Sequence, residues 1–153
     1  MRFFAHVPAV PLALGLAGLL PFLWGAATVL SPALADWART ALSPRMAGQY
    51  VLAAYGIVIL SFMSGVLWGF ATRAEGTLAL RAYGLSVLPA LWTFFMVGGG
   101  PQTALSALLV GFLAVFTLDA QFARWGLVPE WWLRLRAVLT LVVLLCLLVG
   151  LYG

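Results

Sequence analysis

The stretch AVLTLVVLLCLLVGLYG, residues 137–153, carries no charged side chain. A membrane-spanning helix needs about 20 predominantly apolar residues, so this run and the few residues before it can cross a bilayer. Its apolar residues are continuous, whereas strands of a membrane barrel alternate apolar and polar residues over about ten positions. The stretch therefore predicts a transmembrane helix rather than a transmembrane strand.

Three further runs have no Asp, Glu, Lys or Arg, at residues 3–35, 46–72 and 82–118. The third run is long enough for two passes and is broken by GGGPQT, residues 98–103, where glycines and a proline stop a helix and permit a tight turn. We therefore predict an all-α fold, a single transmembrane domain over residues 1–153. Its five spans are expected at about 8–30, 49–72, 79–97, 102–120 and 134–152.

Composition supports lipid as the surrounding solvent. Of 153 residues, 65% are hydrophobic and 8% are charged, whereas soluble domains are about half apolar and about a quarter charged.

The beginning of the chain also suggests a signal peptide, because Ala33, Leu34 and Ala35 fit a small-x-small cleavage pattern. However, the apolar region spans residues 7–30 and exceeds the usual ~7–15 residues, so we expect a retained span and keep cleavage after Ala35 as the alternative.

The arginines predict the orientation, because positively charged loops tend to remain cytoplasmic. Five spans place the N-terminus and the second and fourth loops on one side, with Arg2, Arg73, Arg81, Arg124, Arg134 and Arg136. The other side has only Arg39 and Arg45. We therefore expect a cytoplasmic N-terminus and a periplasmic C-terminus in a bacterial inner membrane.

The fourth loop, within DAQFARWGLVPEWWLRLR, combines aromatic rings with positive charges. Such residues suit the headgroup level of a membrane and can bind anionic lipids. We expect interfacial contacts with lipid or with a partner from Arg124, Trp125, Trp131, Trp132, Arg134 and Arg136. The alternative is an ordinary interfacial anchor.

Two spans contain the same motif, LPFLW at residues 20–24 and LPALW at residues 88–92. Pro21 and Pro89 each remove one helical hydrogen bond and predict kinks, which neighbouring helices and hydroxyl groups can compensate in lipid. The repeat leaves an internal duplication open. Paired broken helices can also mark the binding site of a transporter.

The second span contains small residues at every fourth position, Ser61, Gly65 and Gly69, and Trp68 lies beside them. Such a stripe lets another helix approach closely, either within the bundle or from a partner. Smaller rows of this kind include Gly25 and Gly111.

Residues able to perform chemistry are few. His6 is the only histidine and Cys146 the only cysteine, so we predict no metal ligand, no cofactor and no catalytic residue. All four carboxylates fall at or beyond the predicted membrane edges, and Asp119 is the nearest to a span. We expect Asp119 to form a structural ion pair with Arg81, because both lie on the same predicted side. Nucleic-acid binding has no support.

Four segments together resemble an uncharacterised multi-pass family, domain of unknown function 3429, which has a mitochondrial transmembrane relative in animals. They are LGLAGLLPF, AYGIVILSFMSGVLWGF, LSVLPAL and WWLRLRAVLTLVVLL. The most specific core comprises Tyr55, Gly56, Ser61, Phe62, Gly65, Trp68 and Gly69. The resemblance implies a helical inner-membrane protein and transfers no catalytic residue.

We therefore expect a non-enzymatic protein that works by packing. It would be an accessory or assembly subunit of a larger membrane complex, or a lipid-binding protein. Expected partners are membrane lipids, including anionic ones, and other subunits or a second copy. The alternative is a small transporter or channel built around the first and third spans, with Asp119 as the only acid near a pathway.

Overall fold

The protein is helical throughout the part that the computed structural model describes, residues 7–153, apart from short connections. No strand occurs within these residues, and the all-α prediction is confirmed. The α-helices are α1 (Ala9–Ala17), α2 (Leu20–Leu30), α3 (Pro32–Ala41), α4 (Gly48–Ala71), α5 (Gly76–Ser86), α6 (Leu88–Met96), α7 (Pro101–Arg124) and α8 (Trp132–Tyr152).

Five segments are long and apolar enough to cross a membrane, which confirms the predicted number of spans. They are Ala9–Leu30, Gly48–Ala71, Gly76–Met96, Pro101–Arg124 and Trp132–Tyr152, called the first to fifth spans below. The predicted bounds agree within a few residues. The largest difference is at the end of the fourth span, where the helix continues beyond residue 120 to Arg124. Asp119 therefore lies inside a helix and not at its edge.

The second span lies at the centre of the bundle and contacts each of the other four. The fifth span packs mainly against the fourth and the first, and the third packs against the second and fourth. At the centre, the ring of Phe22 meets Tyr55 and Phe112 edge-to-face, with centroids 5.1 and 5.9 Å apart. Since lipid is as apolar as these side chains, close packing rather than escape from water holds the spans together.

Both kinked spans are interrupted immediately before their prolines, Pro21 and Pro89. In the third span the Ser64 hydroxyl, from the second span, donates to the carbonyl of Ser86, and the Ser86 hydroxyl donates to the carbonyl of Tyr83 at 2.7 Å. Hydroxyl groups thus bind backbone carbonyls in the turn before the kink, as spans in lipid require. The first and third spans share no extensive contact with each other.

The tryptophans of the two LPxLW motifs have similar roles. The indole of Trp24 donates to the carbonyl of Met46 at 2.7 Å, and that of Trp92 donates to the carbonyl of Ala107 at 2.8 Å. Each motif also lines an open apolar groove, of about 730 Å³ and 780 Å³ respectively. Through the hydrogen bond of its tryptophan, each motif connects its span to a later segment of the chain.

The glycines that permit close helix contacts are not those of the predicted stripe. Gly65 and Gly69 face outward, and a Cβ added to either would meet no atom within 4 Å. The prediction that this stripe packs inside the bundle is therefore wrong. Contact of the stripe with a partner stays a prediction. A Cβ would instead come within 2.5 to 2.8 Å of a leucine side chain at four other positions, Gly25, Gly56, Gly111 and Gly150.

Candidate ligand site beside a buried ion pair

A buried ion pair joins the fourth and fifth spans. The guanidinium Nε of Arg136 donates to one carboxylate oxygen of Asp119 at 2.8 Å, and the indole of Trp132 donates to the other oxygen, also at 2.8 Å. Asp119 is fully buried, and Arg136 is 5% exposed. The predicted partner Arg81 is wrong, because Arg81 lies exposed on the third span and Asp119 binds the fifth.

Helix geometry places the donors of this site on one face. Trp132, Arg136 and Thr140 are each four residues apart on α8, and residues at this spacing lie above one another on a helix. The preceding turn positions that face, because the chain leaves α7 through Gly126 at a φ of 70°, which favours glycine. The first turns of α8 therefore lie against the last turns of α7, where Asp119 is.

Two polar atoms of this face are buried and unsatisfied. Arg136 Nη2 and Thr140 Oγ1 have no hydrogen-bond partner among residues 7–153. Leaving a buried donor without a partner costs about 1–3 kcal/mol in an ordinary protein interior, and more where no water can reach. A structural role would account for the ion pair. It would not account for two buried polar groups that have no partner among the described residues.

The side chains of Arg136 and Thr140 are among those that line a cavity of about 340 Å³. The remaining wall is mostly apolar, with residues from the first, second, fourth and fifth spans; they include Phe22, Ile59, Met63, Phe112 and Leu139. The volume is near the lower end of the range typical for small-molecule sites, about 300–1,000 Å³. An apolar cavity with a few convergent polar groups is the usual form of a ligand site.

The cavity has a mouth on the outer surface of the bundle. Two of its wall residues, Leu14 on α1 and Phe62 on the second span, are 69% and 64% exposed. α1 has no buried residue and packs against α8, while the second span contacts α2. The lining of the cavity therefore reaches the outer surface of the bundle between α1 and the second span.

The predicted interfacial set divides into two groups. Arg136 and Trp132 are not free for lipid headgroups, because they bind Asp119; their assignment as interfacial contacts is corrected. Arg124 and Arg134 are exposed, and Trp125 and Trp131 are half-buried. Contact of these four with lipid or a partner stays a prediction.

The other predicted residues lie away from the cavity. Trp68 is half-exposed, and its ring meets Tyr83 with centroids 4.8 Å apart. Ser61 is half-buried on the second span. Within residues 7–153 no three His, Cys, Asp or Glu side chains lie close enough to hold a metal ion. His6 and Arg2 lie outside the described residues.

The sequence did not single out Thr140, and it predicted an interfacial position for Arg136 where the structure has a buried one. A signal was present, since Trp132, Arg136 and Thr140 recur at the spacing of one helix face. It was obscured because the fifth span was expected to begin at residue 134, which assigned Trp132 to a loop. In the structure α8 begins at Trp132, so all three residues belong to one helix.

Five apolar spans enclose a buried ion pair whose charges cancel. These features define a multi-pass helical membrane protein. Comparison with known families is consistent with this class: residues 7–152 match the family described as Protein of unknown function (DUF3429), and the chain belongs to that family. The family resemblance inferred from the sequence is thereby confirmed.

A curated relative is Transmembrane protein 69 of Xenopus tropicalis, which is 34% identical over 137 residues. The match covers 88% of this chain and 51% of the relative, so the chain spans about half the length of that protein. No solved structure matches the chain.

Proposed function

We propose that this protein is a non-enzymatic, lipid-binding membrane protein that holds a hydrophobic molecule in the cavity beside Arg136. The observation that carries the proposal is the pair of buried, unpartnered groups on an apolar wall, Arg136 Nη2 and Thr140 Oγ1. Buried polar groups in proteins are nearly always hydrogen-bonded. A bound molecule with an oxygen acceptor would satisfy them.

The position of the mouth supports a ligand that comes from the membrane. A molecule entering between α1 and the second span would pass Leu14 and Phe62, which are both apolar and exposed. It could therefore move from the hydrocarbon into the cavity without crossing a polar surface. This route favours a lipid or another membrane-dissolved molecule over a water-soluble substrate.

A matched pair of substitutions on the second span tests this function. Ile59→Trp adds a large ring at the cavity wall, whereas Val58→Trp adds the same ring at a neighbouring residue that is 59% exposed and does not line the cavity. Native mass spectrometry after gentle detergent extraction measures the retained small molecules. We expect Ile59→Trp to lose a bound molecule that the wild type and Val58→Trp retain. Equal retention in all three proteins, each with wild-type thermal stability, would contradict cavity binding.

A second function, as a subunit of a larger assembly, is favoured by a separate observation. Gly65 and Gly69 face outward with open space above them, so another helix could approach the second span closely there. The test is copurification with Gly65→Leu as the variant. Loss of a copurifying protein or of a second copy would support a helix contact, and a lone wild-type monomer in every gentle preparation would contradict it.

The proposed location is the inner membrane of a bacterium, because helical spans and an arginine excess on one side are typical of it. Binding of anionic lipids at Arg124 and Arg134 belongs to the same proposal, since both side chains are exposed beside a span. The transporter alternative is less favoured, because the two kinked spans share no extensive contact and do not enclose a common site.

A further inference from the structure

The charge of the cavity wall restricts what can bind there. Arg136 is paired with Asp119 at 2.8 Å, so the pair as a whole is neutral. Among residues 7–153, no other charged residue lines the cavity. A phosphate or carboxylate would thus bring an uncompensated negative charge into an apolar space, which is strongly unfavourable. The polar group of the ligand should be an acceptor without net charge.

The cavity wall also carries the hydroxyl of Tyr55 and the indole of Trp132, which binds Asp119. Two further polar groups, both unpartnered among the described residues, indicate the kind of acceptor. Arg136 Nη2 offers N–H groups and Thr140 Oγ1 offers one O–H, and both are unpartnered within the described part of the chain. A carbonyl oxygen has two lone pairs and can accept from both. An ether oxygen is a poorer acceptor, and a hydrocarbon accepts from neither. A carbonyl therefore fits the two donors best.

The rest of the wall requires that the carbonyl be attached to hydrocarbon. Phe22, Met63, Phe112, Leu139 and Val143 surround the space beyond the donors, and none of these side chains offers a strong hydrogen bond. We propose, on the basis of the lipid-binding function above, that the cavity binds an uncharged carbonyl joined to a hydrocarbon chain, with Arg136 Nη2 and Thr140 Oγ1 as its donors. Ester-linked lipids and isoprenoid quinones are two classes of membrane molecule with this chemistry.

Thr140→Val is the most informative variant. It removes the hydroxyl and keeps the shape, and because Thr140 Oγ1 has no partner within residues 7–153 the substitution breaks no hydrogen bond of the protein there. Thr140→Ser restores a hydroxyl. Thr93→Val is the matched control, since Thr93 is a buried hydroxyl on the third span that donates to the carbonyl of Pro89 at 2.8 Å and does not line the cavity.

Three probes distinguish the sources of the carbonyl: a diester phosphatidylcholine, its diether counterpart without carbonyls, and a short-chain benzoquinone added in the diether lipid. Affinities are measured by native mass-spectrometric titration of the full chain. We expect the wild type to prefer a carbonyl-bearing probe over the diether lipid by about fivefold to tenfold, the worth of one net hydrogen bond. Thr140→Val should weaken that preference, because only the Arg136 donor then remains, while Thr140→Ser and Thr93→Val should retain it in full.

The outcomes separate this inference from the function on which it rests. Preference for the diester lipid identifies a membrane-lipid ester, and preference for the benzoquinone identifies a quinone; both support the inference. Equal binding of all probes, unchanged by Thr140→Val but lost in Ile59→Trp, overturns carbonyl recognition and leaves cavity binding intact. Binding that is unaffected by Ile59→Trp overturns the proposed function itself.

Discussion

The guanidinium nitrogens of Arg136 differ in their hydrogen bonding. Its Nε binds Asp119, whereas its Nη2 is buried without a partner in residues 7–153. A charged side chain inside a span is costly, and such residues are therefore usually paired and functional. The ion pair holds the arginine in place, and the proposed ligand would supply the partner that Nη2 lacks among the described residues.

Removal of one partner of the pair should be much worse than removal of both. Arg136→Met leaves Asp119 buried and without its counter-ion, and we expect a loss of about 3–5 kcal/mol in the free energy of unfolding. Asp119→Leu combined with Arg136→Met should recover most of this loss, because two apolar side chains then fill the space. Unfolding in mixed micelles by titration with a denaturing detergent measures both values.

The exposed pair of Asp36 and Arg39 is the control for that experiment. It has the same 2.8 Å separation, but both side chains are largely exposed, so Arg39→Met should change stability little. If Arg136→Met were as harmless as Arg39→Met, the pair could not be the buried contact described above.

At the scale of the helices, the glycines differ in the space that is available for an added Cβ atom. A Cβ on Gly111 would come within 2.5 Å of Leu60 and 3.0 Å of Trp92, whereas a Cβ on Gly65 would meet nothing. Gly111→Ala should therefore destabilise the protein by about 1–3 kcal/mol through overpacking. Gly65→Ala should be neutral or stabilising by up to about 1 kcal/mol, since alanine favours the helix. The same detergent titration compares them, and a reversed order would contradict the packing of the fourth span.

A hydroxyl of the second span, that of Ser64, binds the third span in the turn before its kink. Ser64→Ala removes the donor to the Ser86 carbonyl and should cost about 0.6 kcal/mol, the average for hydrogen bonds between spans, and at most about 1.7 kcal/mol. Ser61→Ala is the control on the same helix, because Ser61 is only half-buried. Equal stability of Ser64→Ala and Ser61→Ala would show that the proline kink needs no support from the second span.

The spans and the positions of the kinks could be predicted from the sequence, because apolar length and proline act locally. The partner of Asp119 could not, since Arg81 and Arg136 lie at the ends of different helices on one predicted side, and only the packing of the fourth span against the fifth decides between them. Small residues at Ser61, Gly65 and Gly69 likewise define a face without showing whether it points inward.

At the scale of the whole molecule, five spans within residues 7–153 predict that the start of α1 and the end of α8 lie on opposite sides of a membrane. The arginine excess predicts that α3 is periplasmic and that the second loop is cytoplasmic. In a Cys146→Ala background, Thr40→Cys should react with a membrane-impermeant maleimide in intact spheroplasts, and Glu75→Cys should react only after lysis. Both residues are exposed. The reverse labelling pattern would contradict the predicted orientation.

The cavity is the feature on which the functional account depends, because it joins the buried pair, the kink of the first span and the route from the membrane. An experimental density map of the wild-type protein tests it most directly, obtained in native-lipid nanodiscs with a bound antibody fragment. We predict elongated density between the first, second and fifth spans, with its polar end at hydrogen-bond distance, about 3 Å, from Arg136 Nη2 and Thr140 Oγ1. A cavity filled by the protein's own side chains, or Arg136 turned outward from Asp119, would contradict the account.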